Sequence, residues 1–413
     1  MSVMIIGGGI GGLVTAITLH AQGVPVTVYE QVAQIRPLGV GINLLPHAVK
    51  VLADLGLEPA LATTGVATAE LRYYSKRGQL IWAEARGLEA GYPVPQYSIH
   101  RGELHMILLQ AALERLGSDR IKRDRKLVDF YELPNGQEKA RFADKSGAVV
   151  ETDEADILIA ADGIHSAVRA TFVPNEGPPK WNGCVLWRGI TDRFGPFLTG
   201  RSMIMAGHQN QKFVCYPISR QAFEHGQAQI NWIAELRYDA STPWNREDWN
   251  RPGRPEDFLP AFESWVFDWL DVPALIRANT GIWEFPMVDR DPLSTWTRGP
   301  VTLLGDAAHP MYPIGSNGAS QAILDAECLG RMVKSLGPTA AALTAYEAER
   351  LPKTAAIVLA NRGNGPEQVM QLAEERAPDG FKDIDEVVPL AEREAIAARY
   401  KQIAGFVPIK QAS

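Results

Sequence analysis

The chain has 413 residues, of which 46% are apolar and 22% are charged, a composition typical of globular proteins. That length is large for a single hydrophobic core and predicts about two to three domains. The formal net charge of −7, without a clustered stripe of lysine and arginine, argues against a nucleic-acid partner.

A Gly-rich turn between two short apolar runs opens the chain. The run from Val3 is followed by Gly7-Gly8-Gly9-Ile10-Gly11-Gly12, then by an apolar helical pattern and a second apolar run that ends at Glu30. This order predicts a βαβ unit in which Gly7 allows a tight turn, Gly9 admits a pyrophosphate and Gly12 lets helix and strand pack closely. Glu30 lies 18 residues after Gly12, near the spacing expected for an acid that binds an adenosine ribose. A Gly-rich turn alone also occurs without a ligand, but the flanking elements here all indicate dinucleotide binding, without saying which dinucleotide.

Further glycines and a second helix start follow this unit. The segment Gly39-Val40-Gly41 could bring backbone close to a cofactor, and a helix is predicted from about 46 to 55. Alternation from 71 to 82 predicts a β-hairpin. Apolar spacing from 104 to 116 predicts a helix with Arg101 at its start, although such an arginine is more often solvated than bound to a ligand.

The composition changes in the middle of the chain. An antiparallel sheet, inserted between two pieces of the nucleotide-binding domain, is predicted from short alternating strands near 185–190, 202–206, 212–218 and 229–236. Seven of the ten tryptophans lie between Trp232 and Trp296, a clustering more typical of a core than of a pocket. A long helix is predicted from about 319 to 333, and the last 60 or so residues are polar and helical, without recognisable chemistry.

Two further motifs at strand ends accompany the first Gly-rich turn. One apolar strand ends in Asp162-Gly163 and another in Gly305-Asp306. An acid at the carboxyl end of such a strand lies where open α/β sheets bind ligands, and an extended cofactor needs several such contacts. The later segment Pro313-Ile314-Gly315-Ser316-Asn317-Gly318-Ala319 opens a helix whose free N–H groups suit an anionic ring.

Together these motifs resemble the single-component, FAD-dependent aromatic hydroxylases, the class A flavoprotein monooxygenases of the salicylate and hydroxybenzoate hydroxylase type. Within that group the sequence is most similar to the phenazine-carboxylate hydroxylases. The resemblance implies an α/β fold with a Rossmann-like FAD-binding domain, an inserted antiparallel β-sheet substrate domain and a C-terminal helical region. With the N-terminal unit, the matching stretches span nearly the whole chain: 97–104, 161–170, 216–219, 287–293 and 305–325.

The resemblance implies contacts to FAD residue by residue. Glu30 would bind the adenosine ribose, Arg101 the phosphate and ribityl region, and Asp162 the pyrophosphate. Asp306 would bind the ribityl chain, Gly318 and Ala319 would present N–H groups to the isoalloxazine, and Pro313 would lie over the ring or merely stiffen the loop. Relatives often carry glutamine where this chain has Asn317, which leaves the side-chain environment of the ring open. No metal is expected, and the full implied cofactor set is Gly7, Gly9, Ile10, Gly11, Gly12, Glu30, Gly41, Arg101, Asp162, Gly163, Gly305, Asp306, Pro313, Gly315, Asn317, Gly318 and Ala319.

Candidates for the substrate pocket come from the predicted inserted sheet. Tyr216 matches a position that faces substrate in related hydroxylases and forms, with Pro313, the implied catalytic pair, although a half-buried strand tyrosine is structural about as often. Arg188 or Lys212 could pair with a substrate carboxylate, although surface positions are the default for both. His309 is not assigned as a base. Further candidates on neighbouring strands are Trp187, Trp232 and His208.

The implied reaction is a monooxygenation. NADH or NADPH would reduce FAD, oxygen would form a flavin C4a-hydroperoxide, and its distal oxygen would pass to an aromatic or heteroaromatic ring, expected to be carboxylated. The protein would contribute positioning and exclusion of water. Because the phenazine-carboxylate relatives replace a carboxylate by a hydroxyl, decarboxylative hydroxylation stays open. The alternatives are an FAD-dependent dehydrogenase or reductase without oxygen transfer, a nicotinamide-only dehydrogenase and a non-catalytic nucleotide-binding protein.

Domain boundaries and partners complete the prediction. The FAD-binding domain is expected at 1–72, 97–178 and 284–345, the substrate-binding domain at 73–96 and 179–283, and the C-terminal helical region at 346–413. An aromatic small molecule and O2 are the expected partners, with no nucleic acid and no membrane, for a cytoplasmic monomer or homodimer. The cytoplasm is expected because the chain shows neither an apolar run of about 18 residues nor a basic signal-peptide region. Three scattered cysteines argue against a disulfide framework or a zinc site.

Overall fold

The computed structural model describes residues 1–37, 39–195, 197–239, 251–363 and 365–405. The strands in these ranges are β1 (Val3–Ile6), β2 (Val26–Glu30), β3 (Gly41–Leu44), β4 (Val66–Thr68), β5 (Glu70–Tyr74), β6 (Leu80–Ala85), β7 (Gln96–His100), β8 (Ile121–Arg123), β9 (Lys126–Glu132), β10 (Glu138–Ala143), β11 (Val149–Ala155), β12 (Ile157–Ala160), β13 (Lys180–Phe194), β14 (Ser202–His208), β15 (Gln211–Pro217), β16 (Ala228–Arg237), β17 (Arg251–Pro252), β18 (Val266–Phe267), β19 (Leu270–Asp271), β20 (Asn279–Asp289), β21 (Thr297–Arg298) and β22 (Val301–Leu303). The α-helices are α1 (Ile10–His20), α2 (Pro46–Asp54), α3 (Glu58–Thr64), α4 (Arg101–Leu116), α5 (Ala167–Phe172), α6 (Arg220–Glu224), α7 (Leu259–Phe262), α8 (Val272–Arg277), α9 (Gly318–Leu336), α10 (Ala340–Arg362), α11 (Gln368–Arg376) and α12 (Leu390–Ala404).

A six-stranded sheet in the order β21-β22-β12-β1-β2-β8 forms the centre of the nucleotide-binding half. β1 pairs in parallel with β2 and β12, and β22 continues the parallel array beside β12. All residues of β1 and β12 are buried, as expected for a parallel sheet that is covered on both faces. The carboxyl ends of β1, β12 and β22 therefore meet at one edge, where Gly7, Asp162 and Gly305 follow them.

Helix α1 lies close to this sheet because its first turn is built from glycines. A Cβ on Gly12 would lie 2.0 Å from the carbonyl oxygen of Gly7, and a Cβ on Gly11 would lie 2.9 Å from the Leu304 side chain. The predicted role of Gly12 in close helix–strand packing agrees with this geometry.

An eight-stranded sheet in the order β17-β20-β13-β16-β15-β14-β5-β6 forms the second half. Its neighbouring strands are antiparallel except β5 and β14, which pair in parallel. Successive side chains on a strand point to opposite faces. We call the face of this sheet that contacts the nucleotide-binding half the near face, and the opposite one the far face. On the near face, buried residues such as Val214 and Tyr216 pack with Tyr312 and Ile314 from the nucleotide-binding half. On the far face, buried residues pack into a separate aromatic core.

The predicted α/β fold class is confirmed, with differences in the extent of several elements. β13 runs over 15 residues, well beyond the predicted 185–190. The antiparallel three-stranded sheet of β9, β10 and β11 was not predicted, because its residues alternate only weakly in hydrophobicity. The C-terminal region is helical up to 404, and residues 406–413 of the predicted region lie outside the described residues. No helix in the described ranges has the length and apolar character needed to cross a membrane.

Candidate active site

The Gly-rich turn presents an open helix N-terminus at the edge of the six-stranded sheet. α1 begins at Ile10 after Gly9, and no side chain in the described residues caps its first N–H groups. A Cβ on Gly9 would meet no atom within 4 Å, whereas Gly7 has a φ of +104°, a conformation that favours glycine. Free N–H groups beside open space fit the pyrophosphate of a dinucleotide.

Glu30 is held beside this turn by backbone donors. The N–H of Gly8 donates to Oε2 of Glu30 at 2.7 Å, and the N–H of Val32 donates to Oε1 at 2.9 Å. Each carboxylate oxygen keeps a second lone pair that can accept a ribose hydroxyl. His105 of α4 lies 2.6 Å from the carbonyl oxygen of Gly8, a contact between distant segments that no local motif predicts. Arg101 is the first residue of α4, and its exposed side chain lies beside Gly39.

Asp162 follows β12 with one carboxylate oxygen in use. Oδ2 accepts a hydrogen bond from the N–H of Ala167 at 2.8 Å, while the buried Oδ1 has no partner among the described residues. Burial raises the pKa of Asp162. A buried oxygen without a partner at this sheet edge fits a donor on a bound cofactor.

Arg169, at the end of the same motif, ties two strand ends together. Its guanidinium donates to the carbonyl oxygens of Ala307 and Ala308 at 3.0 and 2.8 Å, and the residue is 1% exposed. The helix after Asp162 is thereby fixed to the turn that carries Asp306. The sequence prediction passed over this role, although Arg169 closes the Asp-Gly motif.

A buried charge network holds the Gly305-Asp306 turn. Oδ2 of Asp325 accepts from the N–H of Gly305 at 3.1 Å and lies 2.6 Å from Nε2 of His309, while Nε of Arg350 donates to Oδ1 at 2.7 Å. Burial alone would raise the pKa of Asp325, but His309 and Arg350 outweigh it and lower that pKa to about 2. Asp306 itself stays accessible at the sheet edge. The side chain of His309 therefore contacts Asp325 and helps to support this turn.

The loop from Pro313 to Ala319 combines unusual backbone with an uncapped helix start. Gly315 and Ser316 have φ values of +68° and +58°. A Cβ on Gly315 would lie 2.1 Å from the hydroxyl oxygen of Tyr400, so α12 leaves no room for a side chain there. No side chain among the described residues caps α9, and a Cβ on Gly318 would meet no atom within 4 Å. The first N–H groups of α9 therefore border open space.

Asn317 turns its side chain under this loop, away from the open space. Its Nδ2 donates to the hydroxyl oxygen of Tyr400 at 2.8 Å, its Oδ1 accepts from Nε2 of Gln321 at 3.2 Å, and the residue is fully buried. The same hydroxyl lies 2.9 Å from Oδ1 of Asn361. Asn317 thus acts on the shape of the loop, and two residues of the C-terminal region help to hold it.

Arg188, Tyr216 and Asn231 form a polar cluster on the near face. The N–H of Gly41 donates to Oδ1 of Asn231 at 2.6 Å, and Nη2 of Arg188 donates to the carbonyl oxygen of Gly41 at 2.9 Å. Tyr216 lies opposite Asn231 in the ladder, and burial raises the pKa of Tyr216 to about 12 against the opposing effect of Arg188. Burial also lowers the pKa of Arg188, whose Nε has no partner among the described residues. Asn231 was missed because its contact with Gly41 joins two distant segments.

Lys212 is buried on the near face, so the default surface position does not apply to it. It is 5% exposed, and its Nζ lies 2.8 Å from Oε2 of Glu235 and also contacts Glu367. We call these three residues the Lys212 cluster; together with Tyr312 and Ile314 they border a cavity of about 250 Å³. Because two carboxylates already hold its ammonium group, Lys212 does not offer a free cation to a substrate carboxylate.

Trp187 and Trp232, which were predicted as substrate contacts, lie on the far face and not on the face that bears Arg188 and Tyr216. Both are fully buried in the aromatic core, and the ring of Trp187 stacks on Phe258 with centroids 4.9 Å apart. The indole N–H of Trp187 donates to Glu284 at 3.1 Å. Since adjacent strand residues point to opposite faces, Trp187 and Arg188 cannot both face one cleft.

Comparison of the sequence with known families and proteins gives a consistent result. A family profile described as "FAD binding domain" matches residues 1–186 and 282–361. The chain is 48% identical to the phenazine 1,6-dicarboxylic acid hydroxylase of Lysobacter antibioticus, with 87% of this chain and 89% of the relative covered. It is 34% identical to the 3-amino-4-hydroxybenzoate 2-monooxygenase PtnB3 of Streptomyces platensis, with 95% and 93% covered.

Solved structures share the fold along nearly the whole chain. A salicylate hydroxylase in a substrate complex superimposes with a TM-score of 0.71 at 23% identity, covering 100% of this chain and 99% of the other. HpxO of Klebsiella pneumoniae, complexed with FAD and uric acid, superimposes with a TM-score of 0.74 at 24% identity, covering 98% and 96%. Taken with the sequence relatives and with the cofactor edge described above, these matches show that the chain belongs to the FAD-dependent aromatic hydroxylases, flavoprotein monooxygenases that typically use NADH or NADPH as reductant.

Proposed function

We propose that this chain hydroxylates a carboxylated aromatic or heteroaromatic small molecule, with NADH or NADPH as electron donor and O2 as the source of the oxygen atom. The observation that carries the proposal is the packing of Tyr312 and Ile314 against the near face, which bears Arg188, Tyr216 and Asn231. A flavin that follows the strand-end motifs to the start of α9 would therefore reach that face. The two sequence relatives, named for a phenazine dicarboxylic acid and an aminohydroxybenzoate, support the substrate class.

For the cofactor we assign the strand-end residues to successive parts of FAD. Glu30 accepts the adenosine ribose hydroxyls, the N-terminus of α1 receives the pyrophosphate with Asp162 nearby, and Asp306 meets the ribityl chain. Arg101 contributes positive charge along the phosphate and ribityl region. The N–H groups of Gly318 and Ala319 would donate to the pyrimidine edge of the ring. When bound, FAD supplies electron transfer and oxygen activation.

On the substrate side, the near face orients the ring and excludes water. Arg188 holds the backbone of Gly41 and keeps Nε for a further acceptor. Because burial raises its pKa to about 12, Tyr216 stays protonated at neutral pH and can donate a hydrogen bond to substrate. Pro313 would lie beside the ring, and its restricted φ fixes the start of the loop.

The test is a screen for substrate-stimulated NADH and NADPH oxidation by the FAD-loaded protein, with phenolic, anthranilate-like and phenazine-type carboxylates and with product mass read for each. We expect at least one carboxylate to stimulate oxidation and to gain one oxygen atom. Release of carbon dioxide in step with oxidation would support decarboxylative hydroxylation. Its absence with a hydroxylated carboxylate would remove that variant.

Two outcomes of the screen count against the proposal. Oxidation that accelerates without oxygen consumption would favour an FAD-dependent dehydrogenase or reductase. Protein that oxidises neither nicotinamide with any aromatic compound would favour a non-catalytic flavin-binding role.

A further inference from the structure

A second buried charge cluster lies where the near face meets the C-terminal helix. Glu84, near the end of β6, pairs with Arg86 and with Lys401 of α12, whose Nζ lies 2.7 Å from Oε2 of Glu84. Glu84 and Arg86 are each 9% exposed. We call these three residues the Arg86 cluster.

The Arg86 cluster lines a small cavity beside the loop assigned to the flavin ring. The cavity encloses about 20 Å³ and is bordered by Leu45, Met203 and Met205 and by Gly315 and Ser316. That volume holds little more than one water molecule, so it admits a small polar group and excludes an aromatic ring. A ring attached to such a group would lie outside the cavity, next to the loop.

Arg86, which borders this cavity, has an unsatisfied donor. Its buried Nε has no hydrogen-bond partner among the described residues. A buried donor without an acceptor is costly, so this one indicates an acceptor that joins the site from outside the chain. A guanidinium donates in a planar geometry that is suited to a carboxylate.

The net charges of the two near-face clusters also favour the Arg86 cluster as the site for a carboxylate. The Arg86 cluster holds two cations and one carboxylate, so an added carboxylate brings it to neutrality. The Lys212 cluster holds one cation and two carboxylates, and a third carboxylate there would be repelled. Because an unpaired buried charge is costly, burial favours a cluster whose net charge is zero.

We propose that Arg86, with Lys401, binds a carboxylate of the aromatic substrate in this cavity, while Glu84 holds the two cations in place. The inference rests on the proposed hydroxylase function and adds to it the residues that select an acidic substrate. It also gives α12 a part in substrate recognition.

The test uses the FAD-loaded protein and two matched probes, phenazine-1-carboxylic acid and phenazine-1-carboxamide, titrated at pH 7.5 with the flavin absorbance as readout. We expect the wild type to bind the acid more tightly than the amide. Arg86→Gln should weaken acid binding about 10- to 100-fold, the range for a hydrogen bond to a charged group, and change amide binding less than about threefold. Arg77→Gln, on the turn between β5 and β6, removes an exposed arginine paired with Asp379 and should change neither.

Two further variants keep the test decisive if Arg86→Gln does not fold. Lys401→Gln changes a side chain that is 25% exposed and should weaken acid binding up to about fivefold. Glu84→Gln keeps an acceptor oxygen for the two cations but raises the charge of the cluster, so it should tighten acid binding, a change in the opposite direction.

Equal binding of acid and amide by the wild type, or equal weakening of both in Arg86→Gln, would overturn the inference. If the wild type hydroxylates an aromatic acid but these variants leave the acid–amide preference unchanged, the inference alone fails. If no aromatic acid binds or stimulates nicotinamide oxidation, the proposed function fails with it.

Discussion

The two faces of the eight-stranded sheet bury different kinds of side chain. The far face carries a continuous aromatic core in which Trp187, Phe213 and Trp232 pack with Phe258 and Phe262. The near face, built by the alternate residues of the same strands, carries charged and polar groups beside two cavities. One set of strands therefore supplies both the stability of this half and the surface that contacts the loop assigned to the flavin ring. The difference predicts that substitutions on the two faces separate stability from substrate recognition.

The largest expected effect on stability belongs to the far face. Trp232→Ala should lower the free energy of unfolding by about 3–5 kcal/mol, because it opens a cavity in a fully buried aromatic core. Trp232→Phe, which keeps a ring, should cost clearly less. Urea unfolding of the FAD-loaded protein measures both, and a changed acid–amide preference in Trp232→Phe would contradict the separation of the faces.

The Lys212 cluster is a near-face group that we expect to affect stability. Its ammonium group already contacts both carboxylates. Lys212→Met should cost about 3–5 kcal/mol of unfolding free energy, because two buried carboxylates would remain without their cation. Adding Glu367→Gln to Lys212→Met should recover part of that loss, which a double-mutant cycle measures. Additive effects would mean that the pairing contributes little.

Arg188 should show the opposite behaviour, with activity lost and stability kept. Arg188→Lys removes the planar group that holds Gly41 and should lower kcat/KM for the aromatic substrate about 10-fold or more, with unfolding free energy changed by less than about 1 kcal/mol. Steady-state kinetics with both nicotinamides tests this. Unchanged kinetics would remove Arg188 from the proposed site.

The smallest expected effect concerns the pH profile. Since burial raises the pKa of Tyr216 to about 12, its neutral, donating form persists below that value and is lost only as the pH rises through it. Tyr216→Phe should therefore lower kcat/KM by about the same factor at every pH from 6 to 9, with the shape of the profile unchanged. An alkaline loss below pH 9 that disappears in Tyr216→Phe would show that this pKa is much lower.

The strand ends of the FAD-binding domain are easier to locate from the sequence than the residues of the near face, for a physical reason. The cofactor residues sit in short local motifs, such as the Gly7–Gly12 turn, whose geometry follows from neighbouring residues alone. The near face depends on register, which places Tyr216 opposite Asn231, and on the contact of Lys401 with Glu84, a residue far away in the chain. Alternation along a strand is the signal that separates Trp187 from Arg188, because adjacent side chains point to opposite faces.

The most direct test of the account is oxygen transfer under ¹⁸O2. The FAD-loaded wild type, Arg188→Gln and Trp232→Phe would each be supplied with NADH or NADPH and with phenazine-1,6-dicarboxylate or the carboxylate selected by the screen. We predict one ¹⁸O atom in the aromatic product of the wild type and of Trp232→Phe, and strongly reduced product from Arg188→Gln. Nicotinamide oxidation that leaves no ¹⁸O in any aromatic product, or loss of product in Trp232→Phe with Arg188→Gln unaffected, would contradict the account.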